Sequence, residues 1–506
     1  FTSGPLSYLN GALWFDTNGV STDEIRFWTS DGTPAGTLPF STVSAESISS
    51  STIALAGNTP VFLVRSFPGF EYRLYRTDGT PTGTELFRTF LDQGGSESTL
   101  MTLGDLLLFT ARTPETTVFS GELWSTDATQ EGTTQLTDLT SSPFSTTGPR
   151  EITTVGDRAF FAAAQPEGFP VSSDRELWMT DGTVAGTQQV FDINTTSSSS
   201  PEDLIATNDA VVFTASTSEA GRELWLSRGP NDTYQIADLL PGPEDSGISE
   251  LFAVGGTVFF SANDNVAGEE LWRSDGTLEG TRLAADVVPG SGGSDVADIE
   301  FVDGTLYFTA DDGIHGRELW ALLTNIAPWF TTPSADTAIE NVEYRYTAGV
   351  TDANEGDTLT LSLVDAPDGV QFDVETGLLT WTPASAGLVT ITLAVTDGSE
   401  SATQTLRVEV LSDVDADTVP DGQDNCTNVL NPDQRDTNGD GFGNVCDADL
   451  NNDGIVNFSD LSILVNLVFS SDPDADLDGD GSVNFGDVAI FRDLFLMPPG
   501  PSGTVF

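Results

Sequence analysis

The chain has 506 residues, with 18 Arg, no Lys and 78 acidic side chains, a formal net charge of −60. A polyanion of this density is repelled by nucleic acid and by anionic membranes, which excludes both as partners. No run approaches the roughly 18 apolar residues of a membrane span, and one His in the whole chain leaves a single candidate for imidazole catalysis.

A chain this long exceeds one hydrophobic core, so several domains are expected. The opening residues, FTSGPLSYLNGALWF, have neither a charged n-region nor an apolar h-region. Either a signal peptide has been removed or the chain begins inside a longer one.

Internal repetition governs residues 1–325. The segments EIRFWTSDGTPAGT (24–37), EYRLYRTDGTPTGT (71–84), GELWSTDATQEGT (121–133), RELWMTDGTVAGT (175–187), RELWLSRGPNDT (222–233), EELWRSDGTLEGT (269–281) and RELWALLTN (317–325) share one pattern. Their aromatic anchors, Trp28, Tyr75, Trp124, Trp178, Trp225, Trp272 and Trp320, are spaced by 47, 49, 54, 47, 47 and 48 residues. In the sixth copy LFAV (251–254) alternates, Gly255-Gly256 turns and TVFFSA (257–262) alternates again, a hairpin signature. EELWRS (269–274) and TRLAAD (281–286) give two more strands. Four short strands per unit, in seven units, predict a seven-bladed β-propeller, which leaves few open edges.

The repeated residues have structural and functional readings. In the DGT turn, Asp bonds its own backbone, Gly accepts positive φ and Thr returns the chain to β. The Glu before Leu-Trp (Glu24, Glu71, Glu122, Glu176, Glu223, Glu270 and Glu318) is expected to bond backbone N–H groups of a neighbouring blade; the sharper reading is a ring of carboxylates holding cations. His315 occupies a slot that holds Ala220 and Ala267 in other copies. It reads as a loop residue, and no catalytic residue is assigned. Carboxylate pairs of the glycosidase kind stay open because Asp and Glu are abundant. The units resemble the bacterial ELWxxDGT repeat family, found in large secreted or surface proteins, and the resemblance covers residues 6–325. Two copies depart from it: Arg228-Gly229-Pro230 replaces DGT, and Ala321-Leu322-Leu323 ends the seventh copy without a turn. That copy also lacks a clear fourth strand before Pro328. The missing strand is expected from the N-terminus, from residues 324–330, or from another molecule by β-augmentation.

Residues 326–411 form the second domain. Asn325-Ile326-Ala327-Pro328 reads as a linker, and 343–410 alternate with turns every 8–12 residues, a β-sandwich with Trp381 in its core. The segment resembles bacterial putative-Ig and cadherin-like modules through Asp352…Gly356-Asp357, Ala366-Pro367-Asp368-Gly369, Thr380-Trp381-Thr382-Pro383 and Thr396-Asp397-Gly398. Asp352, Asn354, Asp357 and Asp397 are either one Ca²⁺ site or Asx turns.

Residues 412–506 hold 19 Asp, no Glu and two Arg, a net charge of −17. Carboxylates this dense repel one another, so the folded state calls for cations. The two Cys of the chain stand 20 positions apart here, which suggests a local disulfide and an oxidising compartment. Asp413, Asp415, Asp417, Asp421, Asp424, Asp433, Asp436, Asn438, Asp440 and Asp447 resemble a thrombospondin type 3 repeat (412–448), and that resemblance implies Ca²⁺ wrapped around a Cys426–Cys446 loop. In 449–506, Asp449, Asn451, Asp453, Asn457 and Asp460 place oxygens at loop positions 1, 3, 5, 9 and 12 with Gly454 at position 6. Asp476, Asp478, Asp480, Asn484 and Asp487 repeat the spacing 27 residues later with Gly481. Each loop runs into an apolar helix, LSILVNLVF (461–469) and VAIFRDLFL (488–496). The duplication is similar to dockerin type I repeats, which implies several Ca²⁺ ions within 412–490. Phe458 and Phe485 stand where dockerins read a cohesin; they either contact a partner or pack between the two helices. The terminal MPPGPSGTVF is expected to lie along its own domain or on a neighbour.

These expectations converge on a non-enzymatic, calcium-stabilised bacterial protein, secreted or on the cell surface. It would associate with itself, by strand donation or C-terminal tail contacts, into a filament or layer. The alternative is an adhesin whose propeller holds a glycan or protein, or a dockerin-type partner of a cohesin-bearing scaffold.

Overall fold

A computed structural model describes residues 7–9, 11–18, 24–44, 47–67, 71–91, 100–112, 121–139, 148–164, 174–354 and 356–503. The chain is nearly all β and divides into two compact units, residues 1–326 with 353–355, and residues 327–352 with 356–506.

In the first unit, seven antiparallel sheets follow one another, spanning 7–44, 47–91, 101–135, 150–191, 202–237, 249–285 and 297–323. The first six have four strands and the seventh has three. The sixth shows how sequence makes the unit. Ser249–Val254, Thr257–Asn263, Glu269–Ser274 and Arg282–Ala285 pair in chain order, with Phe252 opposite Phe259 and Phe260 opposite Trp272. The second strand is an uninterrupted small-and-apolar run because both of its faces are covered: Val258, Phe259, Phe260, Ser261 and Ala262 are all fully buried. A one-residue bulge separates Leu271 from Trp272. The same bulge recurs at Phe27/Trp28, Leu74/Tyr75, Leu177/Trp178 and Leu224/Trp225, so it belongs to the repeat.

Apolar layers fill the gaps between consecutive sheets. Trp14, Phe27 and Phe40 meet Phe62 of the second sheet, Tyr72 and Phe90 meet Phe109 and Trp124 of the third, and Leu226 and Ile236 meet Phe260 and Trp272 of the sixth. Polar clasps cross the same gaps. Arg76 donates to the Ala128 carbonyl at 3.0 Å, Ser125 to Gly182 at 3.0 Å, Arg158 to Arg228 at 2.9 Å, Tyr234 to Gly276 at 3.2 Å and Arg273 to Asn325 at 3.3 Å. Five successive sheets thus each hold, by its backbone, the chain at or just beyond the end of the next sheet's third strand.

The DGT turn behaves as its sequence implies. Asp275 Oδ1 accepts from the Thr277 backbone N–H and from the Thr277 hydroxyl, and Gly276 has φ +88°. The second glycine of the motif is fixed by packing: a Cβ on Gly280 would sit 2.0 Å from Asp275 Oδ1.

The terminal sheets differ from the rest. In the seventh, Leu306, Phe308 and Ala310 are buried, whereas Leu319 is 72% exposed. In the first, Trp14 and Asp16 are buried while Leu13 is exposed. Each therefore keeps one open face.

In the second unit, residues 329–411 form a sandwich. One sheet joins Ala335–Ile339, Ser401–Leu411, Gly387–Thr396 and Thr360–Asp365, and the other joins Tyr344–Thr347, Leu378–Trp381 and Gln371–Asp373. Trp381 lies in its core with Tyr344, Leu379, Ile391 and Leu406. Residues 412–503 follow as loops with two helices, Phe458–Leu467 and Phe485–Leu494. Among the described residues no helix is long and apolar enough to cross a membrane.

Candidate metal centres

The tail is built by duplication. Its core pairs Ala448 with Ala475, Val456 with Val483 and Leu464 with Phe491, each 27 residues apart. Each helix begins at an Asn in extended backbone, Asn457 (φ −142°) and Asn484 (φ −141°), whose side chain accepts from the residue two ahead. Asp460 and Asp487 complete capping boxes by accepting from the Asn457 and Asn484 N–H groups at 2.8 and 2.7 Å. Both aspartates are fully buried, held there by helix caps that also aim their carboxylates at the loop.

Three carboxylate clusters result, each with its donor oxygens within 4.8 Å of one another: Asp413/Asp415/Asp417, Asp449/Asp453/Asp460 and Asp476/Asp478/Asp487. The loop backbone curls around them. Asp449 accepts from Asp453 N and Gly454 N, at 3.2 and 2.6 Å, and Asp487 accepts from Leu477 N at 2.7 Å. Burial first, then the neighbouring aspartates, pushes Asp415 and Asp478 above the usual carboxylate range. Asp447 is pushed up to about 7, by burial and by Asp440 and Asp449 beside it.

Buried oxygens without partners give an observation independent of clustering. Asp424 Oδ2, Asp415 Oδ2 and Asp476 Oδ1 are inaccessible and accept no hydrogen bond, although Asp424 and Asp476 are 1% and 4% exposed. A buried carboxylate oxygen left bare is costly. Asp424 adjoins the first cluster and raises the pKa of Asp415, and Asp476 belongs to the third. All-oxygen, anionic donor sets of this kind suit a hard divalent cation.

Other residues singled out from sequence lie elsewhere. Asp421 accepts from Val414 N at 2.9 Å at the margin of the first cluster. Asp436 accepts from Gly439 N and Gly441 N, and Asn438 donates to Asp440 at 2.9 Å, forming a separate loop that ends at Asp447. Asp433 is exposed and belongs to none of the three clusters. Asp480 is turned to Ser482, which holds its carboxyl below the ordinary range, and it lies outside the cluster of Asp476, Asp478 and Asp487. Asn451 donates to Asp460 at 2.7 Å.

One partner was not legible. Arg435 donates to the Asp476 carbonyl at 2.6 Å, to Pro473 at 2.9 Å and to Asp476 Oδ2 at 3.0 Å. It ties the loop around the disulfide to the second duplicated loop while leaving Asp476 Oδ1 bare. The Cys426–Cys446 bridge is present. The C-terminal segment lies on its own domain: Val456 N donates to the Met497 carbonyl, Leu496 N to Val456, Thr427 N to Pro501, and Gly503 N to Asp424. Residues 504–506 are outside the described residues. Phe458 and Phe485 do not pack between the helices. They are 74% and 75% exposed, with ring contacts to Phe495 at 5.0 Å and Phe469 at 6.1 Å. The physical reason is their place at the first position of each helix, where Val456 and Val483 already fill the core.

In the sandwich, Asp352, Asp357 and Asp397 approach one another, and the Asn354 amide is engaged by the backbone. It accepts from Ile326 N at 2.8 Å and donates to the Thr324 carbonyl at 2.8 Å.

In the first unit the repeated Glu takes a structural role, but its partners lie in the segment after its own sheet's fourth strand and not in a neighbouring blade. Glu122 accepts from Leu139 N, Glu176 from Ile193 N and Ser199, Glu223 from Leu239 N and Ser246, and Glu270 from Val287 N, Val288 N and Ser294. All four are buried, and burial pushes Glu223 up to about 7. Glu71 instead pairs with Arg73, and the Glu24 side chain is outside the described residues. His315 is held in an Asx turn: Asp312 accepts from its backbone N–H and, at 2.8 Å, faces its Nδ1. Exposed Glu318 lies beside this pair, a grouping the sequence did not reveal.

Residues 327–411 match the family model described as "Putative Ig domain". No curated protein matches the chain. Solved structures are similar at low identity. A prolyl endopeptidase structure has a TM-score of 0.37 at 12% identity, covering 77% of this chain and 54% of that one. The β-propeller domain of the Trilobed protease from Pyrococcus furiosus has a TM-score of 0.33 at 12% identity, covering 62% and 94%. A Bacteroides fragilis α-galactosidase-like structure has a TM-score of 0.15 at 17% identity over 16% of this chain, and the chain spans only 17% of that protein's length.

Proposed function

We propose that the protein is a calcium-stabilised, non-catalytic extracellular structural protein of a bacterium. In this reading the seven sheets of the repeat unit form a seven-bladed propeller whose first and seventh blades keep open faces. The Ig-like module and the thrombospondin type 3-like and dockerin-like loops form its calcium-bound arm, and copies associate with one another. The observation that carries the reading is the three aspartate clusters together with the bare, buried carboxylate oxygens at the first and third of them. Asp413, Asp415, Asp417 and Asp424 would hold one ion, Asp449, Asp453 and Asp460 a second, and Asp476, Asp478 and Asp487 a third. Bound Ca²⁺ supplies the positive charge that lets these carboxylates stay ionised and close together. The disulfide fits an oxidising compartment. The burial of Glu122, Glu176, Glu223 and Glu270 against backbone N–H groups supports a structural use of the repeat.

Calorimetric titration of chelator-stripped protein with Ca²⁺ tests this. At least three equivalents are expected, with loss of one on Asp476→Ala. Absence of binding at millimolar Ca²⁺ would refute it. A second reading, a docking arm for a cohesin-like partner, is favoured by the exposed Phe458–Phe495 and Phe469–Phe485 pairs.

A further inference from the structure

The third strand of the seventh sheet, Arg317–Leu323, has no described strand on its outer side. The chain after it is committed elsewhere. The Asn325 carbonyl accepts from Arg273, Thr324 and Ile326 bond to Asn354, and Ile326 is fully buried. Trp329–Phe330 then pairs with Val350–Thr351. Residues 324–330 therefore do not turn back to supply the missing strand, and residues 1–6 lie outside the described ones. The six fourth strands of the chain each pair with their own third strand.

We infer that this edge accepts an extended strand from a second polypeptide with the chemistry of this protein's own fourth strands. Four internal examples define that chemistry. The residue opposite the aromatic anchor is Gln135, Gln189, Gln235 or Leu283 in the third to sixth sheets. Four residues further on, a backbone N–H donates to the repeated Glu: Leu139 to Glu122 at 3.0 Å, Ile193 to Glu176 at 2.9 Å, Leu239 to Glu223 at 3.1 Å and Val287 to Glu270 at 2.9 Å. Glu318 is the same residue of the seventh sheet, yet it is exposed, whereas those four are at most 5% exposed. The receptor half of a recurring strand joint is present and its donor half is not among the described residues. The incoming strand would place one residue opposite Trp320, skip one at the bulge, and bring the N–H four residues on to Glu318. Pairing would satisfy the outward backbone groups of 317–323 and so give affinity. The proposal rests on the self-association reading above only in taking its donor from another molecule.

The test uses the full chain, saturated with Ca²⁺, and a synthetic peptide of residues 281–296, the sixth sheet's fourth strand and its continuation. Saturable 1:1 binding is expected, with slowed amide exchange confined to 317–323. A peptide carrying Val287→Pro lacks the N–H meant for Glu318 and should bind about tenfold more weakly. Glu318→Ala should cost a similar factor, and this exposed site leaves the fold intact. The inference is overturned if the parent peptide does not bind, if a scrambled peptide binds equally, or if 317–323 already exchange slowly in the chain alone. The tail amides of 449–494 are followed in the same samples with and without Ca²⁺. If they respond while the peptide fails, only the strand inference falls.

Discussion

Chelation is the most demanding perturbation, because the geometry sets its size. Each cluster holds three carboxylates with donor oxygens within 4.8 Å. Two unit charges at that separation repel by about 3.5 kcal/mol at an effective dielectric of about 20, so a fully ionised triad carries about 10 kcal/mol of repulsion before screening. A cation present at a hundredfold excess over its Kd stabilises the folded state by about 2.7 kcal/mol per site, or about 8 kcal/mol over three sites. That matches the whole net stability of a typical domain, about 5–15 kcal/mol. Removing Ca²⁺ with excess chelator should therefore open residues 412–503 while leaving the sandwich folded. Hydrogen exchange on the intact chain reads both at once. Amides of Phe458–Leu467 and Phe485–Leu494 should lose protection, and those of Gly387–Thr396 and Ser401–Leu411, around the fully buried Ile391, Leu393 and Val408, should keep it. Undiminished protection of the two helices after chelation at neutral pH would refute the reasoning. So would simultaneous loss in the sandwich, which would show that the effect is not local.

Repeat positions offer matched pairs. Leu224→Ala, at a fully buried site, should cost about 3 kcal/mol, whereas Leu319→Ala, at the same motif position but 72% exposed, should cost under about 0.5 kcal/mol; equal losses in denaturant titrations would contradict the open face of the seventh sheet. Replacing Cys426 and Cys446 by Ser opens a loop with a sequence separation of 20 and should cost about 3 kcal/mol, seen as a lower unfolding midpoint in Ca²⁺ buffer. Burial raises the Glu223 carboxyl to about 7, so the folded chain holds a proton there that the unfolded chain releases. Its contribution to stability is complete below about pH 4.5 and declines as pH rises through 7; Glu223→Gln should flatten that part of the stability–pH curve, and an unchanged slope would count against a buried protonated Glu223.

The repeat was legible because its residues act through their own neighbourhood. Asp275 and Thr277 close one turn, Leu and Trp fill the gaps on either side of a sheet, and Glu270 reaches N–H groups 17 and 18 positions on. The pattern recurs because the same local problem recurs at every sheet. The clasps between sheets left no such trace. Arg76, Ser125, Arg158, Tyr234 and Arg273 do one job with three side-chain types, because the acceptor is a backbone carbonyl and any donor of suitable reach will serve. The acidic loops divide in the same way. Asp460 and Asp487 were readable, since a helix cap and a place in a carboxylate cluster coincide at fixed spacing. Arg435 was not, since its target Asp476 lies 41 residues away and is set by how the loops fold onto each other. The spacing also did not foretell that Asp480 lies outside its cluster, where the Ser482 hydroxyl donates to its carboxylate at 2.8 Å.

The seventh sheet shows where a pattern informs by failing. Its motif residues are intact, so the sequence alone marks Glu318, Leu319 and Trp320 as core. Their burial depends on two things outside the motif, a strand beyond them and a sheet facing them. In the sixth sheet Arg282–Ala285 and the seventh sheet supply these, and Glu270 and Leu271 are both fully buried. In the seventh sheet neither is described: Glu318 and Leu319 stand in water, with Glu318 next to Asp312 and His315, while Trp320 stays half-buried. An exposed Leu alone would carry no weight, because apolar atoms are common on protein surfaces. What carries weight is the conjunction of an unpaired strand edge with an exposed Glu whose four counterparts each accept from the backbone N–H four residues beyond the one facing the aromatic anchor. A surface with that history is shaped for a strand, and exchange of 317–323 with and without the peptide decides whether one arrives.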